Sequence, residues 1–152
     1  MISHEFEVFA DYNQFYVWDG GLDRRAPENY TDEDVRRMVK VAPNVVVIQP
    51  VRNMTVPVRL EVHEADPGFV ASEWDHVVEC SLDLPTGHLQ VEECTGGTKL
   101  NLRVPAGSYR VRALFGNLDS LSDDGLNGDD RYCVVLWRGL PVALEVVKQW
   151  AG

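Results

Sequence analysis

The sequence predicts a mainly β protein: an antiparallel β-sandwich of about eight or nine strands with one short helix near residues 32–42. Three observations carry this. Apolar and polar residues alternate with period two in segment after segment, as in strands with one buried face. Turn signals rich in Pro and Gly separate these segments at fairly regular spacing. Only one stretch joins a helix-start signature to helical spacing. Strand count alone cannot decide closure, so a barrel is the alternative architecture. The chain is read as a single domain over residues 1–152, a length sufficient for a substantial core.

In chain order, Phe6, Val8 and Ala10 share one face of a first strand. After a bend at Asp11 to Asn13, Phe15 and Val17 face opposite to Tyr16 and Trp18, so apolar side chains line both faces and the strand should be covered on both. Thr31-Asp32-Glu33-Asp34 is a capping box, and Val35, Met38, Val39 and Ala42 follow at helical spacing until Pro43. The acids in the first turn and Arg36, Arg37 and Lys40 beyond suit the helix dipole.

Val45 to Ile48 is an apolar run, a buried strand, and Val51-Arg52-Asn53 a turn. Val56, Val58, Leu60 and Val62 alternate with polar residues and Pro57. Proline lacks an N–H, so this strand belongs at an edge or carries a bulge. His76 to Leu84 alternates next, and Pro85-Thr86-Gly87 signals a hairpin into Leu89 and Val91. Leu100 to Val104, Tyr109 to Phe115 and Tyr132 to Trp137 complete the strands. Pro141 to Trp150 is read as a short helix in preference to a last strand, because Pro141 suits a first turn.

The longest connection, Gly116 to Arg131, joins two strongly apolar strands and carries Asp119, Asp123, Asp124, Asp129 and Asp130. A hairpin needs only a few residues there, and long loops in compact domains are either functional or disordered. Placing Gly125 at the sixth position of a calcium-binding EF-hand loop puts Ser120 first and Arg131 twelfth, where a Glu is required, so that frame fails. A calcium- or small-ligand-binding β module built on some other arrangement of these acids is one alternative function.

No nucleophile elbow or phosphate cradle occurs, and no cofactor is implied. His63, His76, Cys80, Cys94 and Cys133 lack the paired spacing of a zinc site. A second alternative is an enzyme with a site assembled from dispersed acids and His76. The favoured reading is that the protein is not an enzyme.

The net charge of −10 disfavours nucleic acid and points to a basic protein partner. Nine acids and no Lys or Arg lie between Glu61 and Glu93, whereas Lys99, Arg103, Arg110 and Arg112 follow without an acid up to Leu118. Pairing of these charges across neighbouring strands is the plain expectation. Three cysteines without CxxC spacing argue against a disulfide framework, residues 1–18 lack a secretory signal, and no apolar run could span a bilayer. The expectation is a cytoplasmic protein without a membrane role. A homodimer through a sheet edge or the Trp150 tail stays open. The candidate partner-binding residues are Asp119, Asp123, Asp124, Asp129, Asp130 and Trp18, the last because aromatics beside acids are a common interface composition.

Tyr12-Asn13-Gln14-Phe15-Tyr16-Val17, the helix opening at Thr31-Asp32-Glu33, Arg52-Asn53 before an apolar strand, and Pro105-Ala106-Gly107-Ser108-Tyr109 entering another resemble the competence protein J family. The resemblance runs from about Tyr12 to Trp137 and includes the long loop before the last of these strands. The second half, with Leu136-Trp137-Arg138-Gly139, also looks like a wider set of small uncharacterised bacterial β-proteins. The resemblance implies a shared β fold and a role like the family's, inhibition of a nuclease of DNA uptake. It carries over no inhibitory residue.

Overall fold

The computed structural model describes residues 1–152 and is a two-sheet β-sandwich. The strands are β1 (Ile2–Phe9), β2 (Phe15–Asp19), β3 (Val39–Ala42), β4 (Val45–Ile48), β5 (Thr55–His63), β6 (His76–Leu84), β7 (His88–Glu93), β8 (Thr98–Arg103), β9 (Gly107–Gly116), β10 (Arg131–Arg138) and β11 (Glu145–Lys148). One sheet has the order β1-β5-β10-β9-β6-β11, the other β3-β4-β2-β7-β8. The pairing is antiparallel except between β5 and β10. Phe15, Val17, Ile48, Leu60, Leu84, Leu89, Tyr109, Val111, Phe115 and Leu136 interlock between the sheets as the principal core.

Two strands beyond the expected number arise where helix was read. The helix α1 (Asp32–Arg37) has its capping box, with Asp34 N–H donating to Thr31 Oγ1 and Thr31 N–H to the Asp34 carboxylate. It ends after six residues because Met38 turns left-handed, φ 64°, and drops its side chain into the core. Val39 to Ala42 then pair with β4 across a tight turn in which Asn44 is also left-handed. Val35 is exposed, and nothing in α1 is buried. The apparent helical stripe is therefore the sum of a short cap and a β-branched strand, and sheet pairing wins over local spacing. At the other end, Val146 and its neighbours add to the edge of β6 as β11 instead of coiling into a helix.

The Pro85-Thr86-Gly87 turn is not a hairpin between paired strands. It carries the chain from β6 in one sheet to β7 in the other. Asp19, fully buried at the end of β2, fixes this crossing by accepting from the Thr86 N–H at 2.8 Å, from the Thr86 hydroxyl and from the Gly21 N–H at 2.8 Å. Burial opposes charge on Asp19, but these hydrogen bonds prevail and hold its carboxyl below the usual range. Pro57 also departs from expectation, because β5 lies between β1 and β10. The β10 ladder starts only at Tyr132 opposite Val58, so at Pro57 the strand has a neighbour on one side alone.

The opposite charges of the middle segments pair as neighbours. Glu79 on β6 stands opposite Arg112 on β9, and Arg112, only 3% exposed, also holds Asp66 through two bonds of 2.8 and 3.0 Å. Its guanidinium lies against the rings of Phe69 and Trp137. The segment between β5 and β6 is thereby tied down as a cover over the outer face of the six-stranded sheet, where Trp74, Val77, Leu114, Val135 and Trp137 form a second apolar cluster.

All three cysteines are free. Burial pushes the Cys80 thiol up to about 12 and the Cys133 thiol up to about 11, whereas Cys94 is half-buried against the Tyr16 hydroxyl. A thiol-reactive disulfide reagent at pH 8 is expected to label Cys94 alone in the native protein and all three thiols in denaturant. Rapid native labelling of Cys80 would contradict the burial described.

Candidate acidic-loop surface and the adjoining groove

β9 and β10 form a hairpin paired from Gly116–Arg131 to Tyr109–Arg138, so the acidic loop is its tip. The tip is laced to itself. Asn117, left-handed at φ 55°, donates its side-chain amide to the Asp129 carbonyl at 3.1 Å. The Ser120 hydroxyl donates to the Asn117 carbonyl and accepts from the Asp129 N–H, at 2.6 and 2.8 Å. Further out, the Asp124 carboxylate accepts from the Ser122 hydroxyl and the Leu126 N–H, which holds its carboxyl below the usual range and leaves it charged at neutral pH. Leu118 is buried, and its N–H is capped by the Asp75 carboxylate at 2.8 Å.

The five acids do not act as one set. Asp119, Asp123, Asp124 and Asp129 are exposed. Asp130 is fully buried and forms an ion pair with Arg52 at 2.8 Å, while its second oxygen accepts from the Tyr132 hydroxyl at 2.6 Å. That hydroxyl in turn accepts from the Val51 N–H at 3.1 Å, and Arg52 also donates to the Leu126 carbonyl. Burial first, and the neighbouring Asp130 second, push the Tyr132 phenol far above its usual range, so it stays a donor. Trp18 is 7% exposed, stacked on Tyr16 and roofed by the Arg24 guanidinium 4.4 Å from its ring. Asp130 and Trp18 thus have internal partners. Nowhere do three or more His, Cys, Asp or Glu side chains gather to hold a metal ion.

Beside the loop lies a groove of about 870 Å³. Its walls come from the bend after β1 (Tyr12, Asn13), from α1 (Val35, Arg36), from the turn after β4, from Leu121 of the acidic loop and from the tail at Trp150. Tyr12 is 69% and Val35 58% exposed. Tyr12 and Asn13 both adopt left-handed backbone, at φ 57° and 55°. Tyrosine seldom accepts that conformation, and here it projects the ring into solvent. Trp150 joins the groove to the loop by donating its indole N–H to Asp119 at 3.2 Å.

His76 lies behind this groove, fully buried. One ring nitrogen, Nε2, is 2.6 Å from the Arg37 carbonyl at the end of α1, and Nδ1 accepts from the Trp150 N–H at 3.0 Å. These partners require the neutral ring with its proton on Nε2. Both nitrogens are committed, so the base that a dispersed-acid enzyme would need is engaged in structure. Arg52, Tyr132 and the His76–Trp150 contact were not visible as site features in the sequence. Arg52 and Asp130 are 78 positions apart, and no local signal in the sequence pairs them.

No protein-family model matches the chain, and no curated protein is a significant sequence match. Solved structures do match. ComJ from Bacillus subtilis, an inhibitor of the DNA-degrading activity of NucA, superposes with a TM-score of 0.69 at 17% identity, over 91% of this chain and 96% of its own. A crocagin biosynthesis protein, gene product J, superposes with a TM-score of 0.60 at 20% identity, over 92% of this chain and 100% of its own. The chain shares their fold, and the first is a protein of the kind its sequence motifs resemble.

The exposed and buried acids of the loop should separate in denaturation. Asp130→Asn leaves Arg52 buried without its counter-charge and is expected to cost about 3 kcal/mol. Asp123→Asn is expected to change stability by less than about 0.5 kcal/mol. Urea midpoints of the two variants provide the comparison, and equal midpoints would show that the Arg52 pair carries no structural weight.

Proposed function

We propose that this protein is a non-enzymatic inhibitor that binds a basic, nuclease-type protein partner through the exposed carboxylates of Asp119, Asp123, Asp124 and Asp129. The observation that carries this reading is the anchoring of these acids. They stand on a hairpin tip fastened by the Arg52–Asp130–Tyr132 lock and by Asn117 and Ser120, so little conformational freedom remains to be lost on binding. A fixed array of carboxylates competes with phosphates for a cationic cleft and accelerates encounter with it. The fold shared with ComJ over nearly the whole of both chains supports a partner of that kind. So does the excess negative charge, which opposes direct contact with DNA.

The groove extends the same surface with apolar contact area. Tyr12 and Val35 are exposed beside it, and partly buried aromatics with a charged rim are the usual anatomy of a binding face. Contact by the acids alone would give a complex strongly weakened by salt; the groove supplies a less salt-sensitive component.

Inhibition of a basic nuclease from the same genome, measured as DNA cleavage over a range of salt concentrations, tests this reading. Replacing Asp119, Asp123, Asp124 and Asp129 together by Asn should weaken inhibition at least ~10-fold at low salt and flatten its salt dependence. Full inhibition by the Asn variant would remove the loop from the inhibitory surface.

A further inference from the structure

We propose that His76 is a pH-operated latch: neutral, it fastens residues 149–152 as one wall of the groove; protonated, it releases them and opens the groove. This goes beyond partner binding and concerns the protein on its own.

Few attachments hold the tail to the rest of the molecule. The Trp150 N–H donates to His76 Nδ1, and this is its contact with a fully buried side chain. The remaining ties lie at the surface: Gln149 to the Arg36 carbonyl at 3.2 Å, the Trp150 indole to Asp119 at 3.2 Å, and Lys148 to the Ala71 carbonyl at 3.0 Å. Solvent-exposed bonds of this kind contribute little, since water replaces either partner. The strand β11 leading into the tail is short, lies at the sheet edge and is irregular at Lys148. The partly buried Trp150 side chain also packs against the core. The bond to His76 is the tail's polar tie to a fully buried side chain, so loss of that bond acts on a segment otherwise held by this packing and by surface bonds.

Protonation acts on one side of the ring only. An imidazolium still donates from Nε2 to the Arg37 carbonyl, so α1 keeps its partner. At Nδ1 the new N–H points at the Trp150 N–H, donor against donor, and that bond cannot survive. No carboxylate pairs with either ring nitrogen to favour the charged form. Just before β6, Asp75 caps Leu118, and on β6 Glu79 is occupied by Arg110 and Arg112. On α1, Arg37 pairs with Glu33, and Lys40 of β3 pairs with Asp34. On β9 the ring meets Phe115 edge-on, which carries no charge, and Phe115 in turn meets Tyr132. From the tail and loop come Lys148 and Asp119, both engaged elsewhere.

Burial lowers the affinity of His76 for a proton below the ordinary imidazole value of 6.5, and the Arg37 bond only partly offsets this. The unfolded or released ring therefore binds protons more readily than the latched one. The latch is at full strength above about pH 6.5, weakens below it, and is lost as pH falls through the lowered value of the latched ring. Releasing the tail removes Trp150, Ala151 and Gly152 from the groove and frees the Asp119 carboxylate from the indole.

Amide hydrogen exchange and two-dimensional nitrogen-15 NMR of the whole chain, from about pH 7.5 to about pH 5, provide the test. Once corrected for intrinsic exchange, protection of the Trp150 amide should fall at least ~10-fold in one transition, with that of Val111 and Val134 retained. The His76 ring nitrogens should titrate with the same midpoint. His76→Gln, whose amide can accept from Trp150 and donate to Arg37 without titrating, should hold the tail across the range. Asp119→Asn should keep the transition. The latch is refuted by constant Trp150 protection in the native protein, by a ring midpoint different from the tail's, by loss of the transition in Asp119→Asn, or by core amides opening with the tail. Where His76→Gln does not fold, the coincidence of ring and tail midpoints in the native chain decides.

Discussion

The buried Arg52–Asp130 pair, completed by the Tyr132 hydroxyl, is the constraint on which the acidic-loop end of the molecule depends. Two charges are removed from water there, at a cost of several kcal/mol each that is recovered only if the geometry is good and the remaining oxygen is satisfied. Both conditions hold: Arg52 takes one oxygen of Asp130 and Tyr132 the other. The hydroxyl passes the constraint on to the Val51 N–H, and Arg52 reaches the Leu126 carbonyl within the acidic loop. One cluster thus ties together the turn after β4, the last residue before β10 and the middle of the loop between β9 and β10.

The sandwich topology explains why these parts can meet. The chain crosses between sheets after β1 and after β4, and the groove draws on both crossings together with α1, Leu121 and the tail. Elements distant in sequence are delivered to one end of the molecule, where backbone ladders no longer dictate position and side chains must do so. Arg52, Asp130, Tyr132 and His76 perform that work with buried polar contacts. The four exposed acids keep carboxylate oxygens open to solvent or a partner, although Asp119 also accepts from the Trp150 indole and Asp124 from Ser122 and Leu126.

The fold class was legible because alternation and turn chemistry are local signals: β5, β6, β9 and β10 lie where the pattern of Val, Leu and aromatic residues puts them. The capping box at Thr31 was legible for the same reason. The end of α1 was not, since Met38 leaves the helix to fill the core, a tertiary decision. The strand at Glu145–Lys148 depends on the open edge of β6, which no local window contains. In the loop, the sequence marked five acids alike, and the structure divides them by one distant partner. Asp130 looks like Asp129 until Arg52 is brought to it. Trp18 was marked for a partner because it is an aromatic beside acids, but its strand also read as covered on both faces, and Tyr16, Val45, Val47 and the Arg24 guanidinium bury it.

The hydrogen bonds of Asp130, Asn117 and Ser120 make the acidic loop a fixed surface and not a mobile, solvated connection. Nitrogen-15 relaxation of the native protein measures this directly. Backbone order parameters of about 0.8 or above through Asn117–Asp119 and Asn127–Asp130, matching the flanking strands, are the result expected of a loop fastened by Asp130, Asn117 and Ser120. Values below about 0.6 across the same residues would show that the lock does not hold the loop, and the acids would then be a solvated tether.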